Sequence, residues 1–361
     1  MKTLKLVVFC LLTISGLKSY CQDPSFSQFY FNQTYFNPAF VGLHGGSNVN
    51  LTYRRLWVNM PGKFETMFFN FDSDISAING LGGFGINAYR DIEGEGNLTT
   101  TGVDIMLSTR FPNNGSKRHS VKDNFYIQPG IAVGLIHKDI DWNNFIFGDQ
   151  LDAIYGNVRP TNFTHPGDQE NIFPDFKIGV VFKYGKGPKK NVFRGNWDVK
   201  FGFAAHHVFE PNQSFLGQES RLPRKYVSHL NFNFALNHEA DMIFAPCIVW
   251  ESQAQMNTFI GGFNLLWKNV FIGSWLRTYK NYDALVFTLG FIQGSDMPYT
   301  DKFKMYYSYD LTVSGLSNRA SGGSHEISLV YYFNESLNVW LKLGRKKGSD
   351  KFKKIPCPTG F

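Results

Sequence analysis

Seven charged residues stand where a strand could put them to chemical use: Asp104, Arg110, Asp198, Lys200, Arg277, Asp310 and Glu326. Each lies in a stretch where polar and apolar residues alternate, and so belongs to a strand's polar face. Such a set has two uses. Its members pair with one another and fill a closed interior, or they grip a ligand or an inserted segment. Mutual pairing is the expected use. The histidines offer less: His206 and His207 are adjacent, so in a strand their rings point to opposite faces and cannot share a metal. There is no HExxH, no GxSxG elbow and no phosphate-binding glycine loop. Hence no enzyme, no metal and no cofactor is expected. Beyond residue 21 the cysteines are Cys247 and Cys357. In an exported chain they form a disulfide or remain two thiols, and their spacing does not choose.

The elements that carry these residues read as strands. From Thr101 the apolar set Val103, Ile105 and Leu107 alternates with Gly102, Asp104, Met106 and Ser108. Trp197, Val199, Phe201 and Phe203 alternate with Asp198, Lys200 and Gly202, and His325, Ile327, Leu329 and Tyr331 with Glu326 and Ser328. About fourteen such segments occupy residues 47–333. Their lengths bracket the ~10 residues of a tilted membrane strand, and an even count lets a sheet close without an edge in lipid. Aromatic residues make up 17% of the chain and charged ones 18%, which favours ring-rich faces in lipid over a soluble sandwich. The expected fold is all-β: an outer-membrane barrel of about 14 antiparallel strands.

Connection lengths give an orientation. With the N-terminus in the periplasm, the longest connection, about 139–171, faces outward together with 208–224 and 312–323. Glu239–Asp241 and Lys268–Asn269 make short turns on the periplasmic side. Trp142, Phe145, Phe147 and Tyr155 in the longest loop are candidate anchors for a partner, because aromatic residues often dominate interface energetics. The plain alternative is that they pack the loop onto the barrel.

The two ends differ from the body. Residues 1–21 read as a signal peptide, with Lys2 and Lys5 ahead of an apolar stretch from Leu6 to Leu17. Residues 22–46 are rich in rings and asparagine but do not alternate. Phe26, Phe29, Tyr30, Phe31, Tyr35 and Phe36 would pack inside the barrel, with Asn37-Pro38 setting a turn, so the segment is expected to be a plug or lumen-lining arm. Residues 334–361 carry seven basic residues against Glu335 and Asp350. The formal charge of +7 is thus concentrated in this tail and in Lys2, Lys5 and Lys18. The body is close to neutral, which excludes a basic nucleic-acid-binding face. Outer-membrane lipid is the expected surround.

Several motifs share one resemblance. The QDPSFSQF start, Asn37-Pro38-Ala39-Phe40-Val41-Gly42, Tyr306-Tyr307-Ser308-Tyr309-Asp310, Ser324-His325-Glu326-Ile327-Ser328-Leu329 and the ending Ile355-Pro356-Cys357-Pro358 are similar to the PorP/SprF family. Its members are Bacteroidota outer-membrane proteins tied to type IX secretion and gliding. A Thr-Gly pair before the terminal Phe361 departs from the pattern. The resemblance implies a non-enzymatic barrel that assists the secretion, assembly or surface anchoring of a type IX substrate such as a gliding adhesin. The basic tail would meet periplasmic type IX or cell-wall-linked components. No catalytic residue carries over. The competing expectation is a plugged channel for small hydrophobic molecules.

Overall fold

The computed structural model describes residues 23–44, 46–75, 81–112, 124–164, 170–186, 197–214, 219–236, 242–279, 281–294 and 302–333. Fourteen long strands form the wall. The first five are β1 (Ser47–Arg55), β2 (Lys63–Asp74), β3 (Leu81–Gly94), β4 (Leu98–Thr109) and β5 (Asn124–Asp139). Then come β6 (Glu170–Lys186), β7 (Trp197–His206), β8 (Lys225–Ala235), β9 (Met242–Gln253) and β10 (Met256–Trp267). The last four are β11 (Val270–Tyr279), β12 (Asn281–Gly294), β13 (Lys302–Thr312) and β14 (Ser324–Phe333). Each pairs antiparallel with its neighbours in sequence. β14 pairs with β1 from Phe333↔Ser47 to His325↔Arg55, which closes the barrel. Closure gives every strand a partner on both sides and leaves no edge.

The alternation is the cause of the fold. On β4, Val103, Ile105 and Leu107 are exposed while Asp104, Met106 and Ser108 are buried. On β7, Phe201 and Phe203 face out while Asp198 and Lys200 face in. On β14, Ile327, Leu329 and Tyr331 face out, and Glu326 and Ser328 face in. Apolar side chains outside and polar side chains inside are what a sheet needs to close in lipid around a polar lumen. Pro129 on β5 falls where the ladder with β4 lapses, between Ser108↔Gly130 and Phe111↔Ile127. A residue without an N–H costs least at such a break.

One expectation fails at the end of β7. His206 and His207 do not face opposite ways. His207 takes a left-handed backbone (φ 53°) that ends the strand and turns its side chain inward. Both rings are buried, with centroids 6.2 Å apart.

Candidate functional site

The lumen is occupied by residues 23–44. They form no strand, because their rings and amides do not alternate. Gln33–Phe36 make one helical turn and Pro38–Phe40 a 3-10 turn. Asn37 lies between them in extended backbone, and its side chain accepts a hydrogen bond from Ala39 N at 2.9 Å. Phe26, Phe29, Tyr30, Tyr35, Phe36, Asn37 and Pro38 are buried, and Phe31 is half-buried. The rings pack on one another and on the wall. Phe26 meets Tyr35 at 4.9 Å between centroids, Tyr30 meets Trp275 at 4.7 Å, and Phe31 stacks on Tyr306 at 3.6 Å.

The segment runs the length of the barrel, opposite in direction to β1. At one rim, Asp23 N donates to Gln253 Oε1 (3.2 Å), and Asp23 Oδ2 lies 2.7 Å from His207 Nε2. At the other rim, where β1 begins, Gly42 N donates to Asp72 Oδ2 (3.1 Å), and Gly42 O accepts from Arg110 Nη2 (3.0 Å). Between the rims, Asn37 Nδ2 donates to the carbonyls of Val180 and Phe203, both at 3.3 Å. Gln128 Nε2 donates to Ala39 O (2.9 Å) and Val41 O (2.8 Å). His206 Nε2 donates to Phe36 O at 2.9 Å. A turn-rich segment has free backbone groups, and buried ones must be paired. Here the wall's inward side chains pair them.

Close approach is made possible by inward glycines. A Cβ on Gly130 would stand 2.6 Å from Ala39 Cα, and one on Gly83 would stand 2.3 Å from Val41 O. On Gly179 it would stand 2.0 Å from Asn37 Oδ1. Sequence reasoning missed these positions, because a glycine in a strand reads as a weak point rather than as a trough for another backbone.

The seven charged residues do not form one network. Arg277, Asp310 and Glu326 come together, joined by Arg54, which sequence reasoning missed. Arg54 Nη2 lies 3.1 Å and Arg277 Nη1 2.9 Å from Asp310 Oδ2, and Arg54 Nε lies 3.7 Å from Glu326 Oε2. Arg54 also donates to the Ser25 carbonyl. Ser27 N and Gln28 N donate to the Glu326 carboxylate at 2.8 and 3.2 Å, and Ser27 Oγ donates to Asp310 Oδ2 at 2.5 Å. This cluster therefore grips the front of the inserted segment as well as pairing within itself. The signal for Arg54 was parity: it shares β1's inward face with Asn50 and Thr52.

The other four lie apart. Asp104 pairs with Lys177 Nζ at 2.6 Å, and Lys177 is 3.7 Å from Asp175. Asp175 Oδ1 in turn meets His207 Nδ1 at 2.8 Å, so His207 sits between Asp175 and Asp23. Burial alone would lower the His207 pKa, but the two carboxylates outweigh it and hold the ring up at about 9. Arg110 binds Gln128 Oε1 at 3.0 Å, and Asp198 accepts from Asn233 at 3.0 Å. Lys200 is buried on β7 with no carboxylate in ion-pair range among the described residues.

The long loop divides the four candidate anchors. Trp142, Phe145 and Phe147 pack together with Phe163: Trp142 to Phe145 is 5.7 Å, Phe145 to Phe147 6.2 Å and Phe147 to Phe163 4.2 Å. These rings build the loop's own core. Tyr155 does not join them. It sits on a small hairpin, Leu151–Asp152 against Gly156–Asn157, and is 75% exposed beside Ile154 at 82%. The hairpin is held from below. Asp152 accepts from Ile154 N (2.9 Å) and Tyr155 N (3.2 Å), and Asp149 accepts from Asn162 N (2.7 Å).

Cys247 is buried on β9's inward face, and its thiol donates to Asn231 Oδ1 at 2.6 Å. Cys357, the signal segment 1–21 and the basic tail 334–361 lie outside the described residues. No cluster of three or more His, Cys, Asp or Glu able to hold a metal occurs among the described residues.

Comparison with known proteins gives the family. Solved structures that resemble the chain include a Pseudomonas aeruginosa FadL homologue (9% identity, TM-score 0.38, 80% of this chain and 90% of that one). Another is the Ralstonia pickettii toluene transporter TbuX (10% identity, TM-score 0.41, 84% and 93%). No curated protein matches. The model of one family, described as type IX secretion system membrane protein PorP/SprF, matches residues 18–331. This outer-membrane barrel belongs to the PorP/SprF family of type IX secretion system membrane proteins.

Proposed function

We propose that the protein is a non-enzymatic outer-membrane platform that assists the secretion, assembly or surface anchoring of a type IX substrate such as a gliding adhesin. In this reading residues 22–46 are a plug, and the binding work falls to the loops at the rim opposite the start of β1. The observation that carries the proposal is the hairpin tip of the long loop. Ile154 and Tyr155 are 82% and 75% exposed, yet the backbone beneath them is fixed by Asp149 and Asp152. Exposed apolar groups on a preorganised frame suit binding, because little ordering cost remains when a partner arrives. The filled lumen supports the same division of labour, since a solute's route would have to displace the buried Phe26–Leu43 segment. The basic tail 334–361 would contact periplasmic type IX or cell-wall-linked components.

The test is a double variant, Ile154→Ser with Tyr155→Ser, expressed in the native host. Surface display of the type IX substrate should fall several-fold while barrel abundance and heat-modifiable migration stay the same. Unchanged display would remove the loop from the proposal.

A further inference from the structure

The outer wall carries a feature unrelated to the lumen. Across β1, β2 and β3 the outward side chains fall into cross-strand rows. One row is Leu51, Phe69 and Ala88, and the next row toward the long-loop rim is Tyr53, Met67 and Arg90. Ala88 is the small member, set between Phe69 and Val103. The wall falls back there and leaves an open groove of about 500 Å³.

An apolar groove alone is what any lipid-facing wall offers. Arg90 makes this one different. Its side chain faces outward and is exposed, and no carboxylate among the described residues lies in ion-pair range. The nearby outward arginine, Arg55, is matched: it pairs with Glu65 at 3.6 Å. An arginine facing lipid is costly at mid-membrane and costs little near the interface. The row of Arg90 continues to Thr101 and His137, both polar, so it marks the upper edge of the apolar band. An unpaired guanidinium at that level suits a phosphate, which its planar fork binds bidentately.

We propose that this groove is a site for one phosphorylated acyl lipid of the outer leaflet. An acyl chain lies along Leu51, Phe69 and Ala88, and the headgroup phosphate sits on Arg90. The depth of the floor at Ala88 accommodates the chain, and Arg90, unmatched by any carboxylate among the described residues, selects the headgroup.

Native mass spectrometry tests this. The full-length protein in non-ionic detergent is titrated with monophosphoryl lipid A, and stepwise adducts are counted. The first adduct should bind at least tenfold more tightly than the second. Arg90→Gln and Ala88→Phe should each erase that difference, whereas Ile248→Phe, outward on β9 across the barrel, should leave it. All three substitutions face lipid, so the barrel's heat-modifiable migration should survive and can be checked on the same samples. A first adduct no tighter than the second overturns the proposal. So does tight binding that survives both groove substitutions, or a dephosphorylated lipid A that binds as tightly.

Discussion

Replacing Glu326 by leucine removes one carboxylate from the grip on the inserted segment. In the structure that carboxylate accepts from Ser27 N and Gln28 N and faces Arg54. Its loss leaves two buried N–H groups unpaired and leaves Arg54 with Asp310 as its one remaining carboxylate, which Arg277 already shares. Breaking a buried pair by removing one partner costs about 3–5 kcal/mol. At about 1.4 kcal/mol per factor of ten, the local opening equilibrium near residues 26–32 should rise by about two to four orders of magnitude. Residues 37–42 are held separately, by Asn37 and Gln128 between the rims and by Arg110 at the far rim, so they should not change. The lumen should also stay shut. Each buried ring contributes about 1.5–3 kcal/mol, and several rings together outweigh one carboxylate. Hydrogen exchange read by mass spectrometry on the barrel in detergent is the assay, with planar-bilayer current measured in parallel. Glu326→Gln keeps an acceptor and should show a smaller effect. Unchanged exchange at 26–32 would refute the grip. Equal acceleration from 26 to 42 would refute the idea of separate anchors, because the segment would then undock as one piece.

Other outcomes follow from the same geometry. His207 has a pKa raised from 6.5 to about 9, so its attraction for Asp23 is fully present below pH 6.5 and is lost as pH rises through 9. A spin label at Ser25 should therefore gain mobility between pH 7 and 10, and His207→Gln should abolish that dependence; a flat wild-type profile would count against the latch. Gly130→Val places a side chain where Ala39 Cα lies 2.6 Å away. It should loosen residues 37–42 in hydrogen exchange and lower the melting temperature, whereas Val133→Ala, on the outward face, should do neither. Removing residues 23–44 should produce steady single-channel current in planar bilayers, and a silent deletion with an intact barrel would show that the segment is not a plug. Phe147→Ala should loosen the long loop to protease through its lost stack on Phe163, while Tyr155→Ala should leave protease resistance unchanged.

Much of the wall was legible because a closed membrane sheet imposes period two on every strand. That rule put Asp104, Asp198, Asp310 and Glu326 inside and Phe201 and Ile327 outside. What the sequence could not show was pairing around the circumference. Arg54 and Asp310 are 256 positions apart and meet only because β14 closes on β1 and brings β13 near it. Periodicity also misled at His207, where a left-handed residue ended β7 and brought two adjacent rings to one side. In the long loop, composition named four aromatic residues but gave no period to sort them. Only packing separates the mutual contacts of Trp142, Phe145 and Phe147 from the exposed Tyr155.

The proposal that this barrel holds a secreted partner at its outer rim can be tested on native membranes. The most direct measurement is mild-detergent purification of the tagged protein from native outer membranes, followed by quantitative mass spectrometry of what accompanies it. A large type IX-secreted surface protein should accompany the barrel in comparable amounts and be lost when Ile154 and Tyr155 are replaced. Recovery of the barrel alone, with fatty acid or another small hydrophobic molecule in its lumen, would overturn the proposal and make the lumen the functional site.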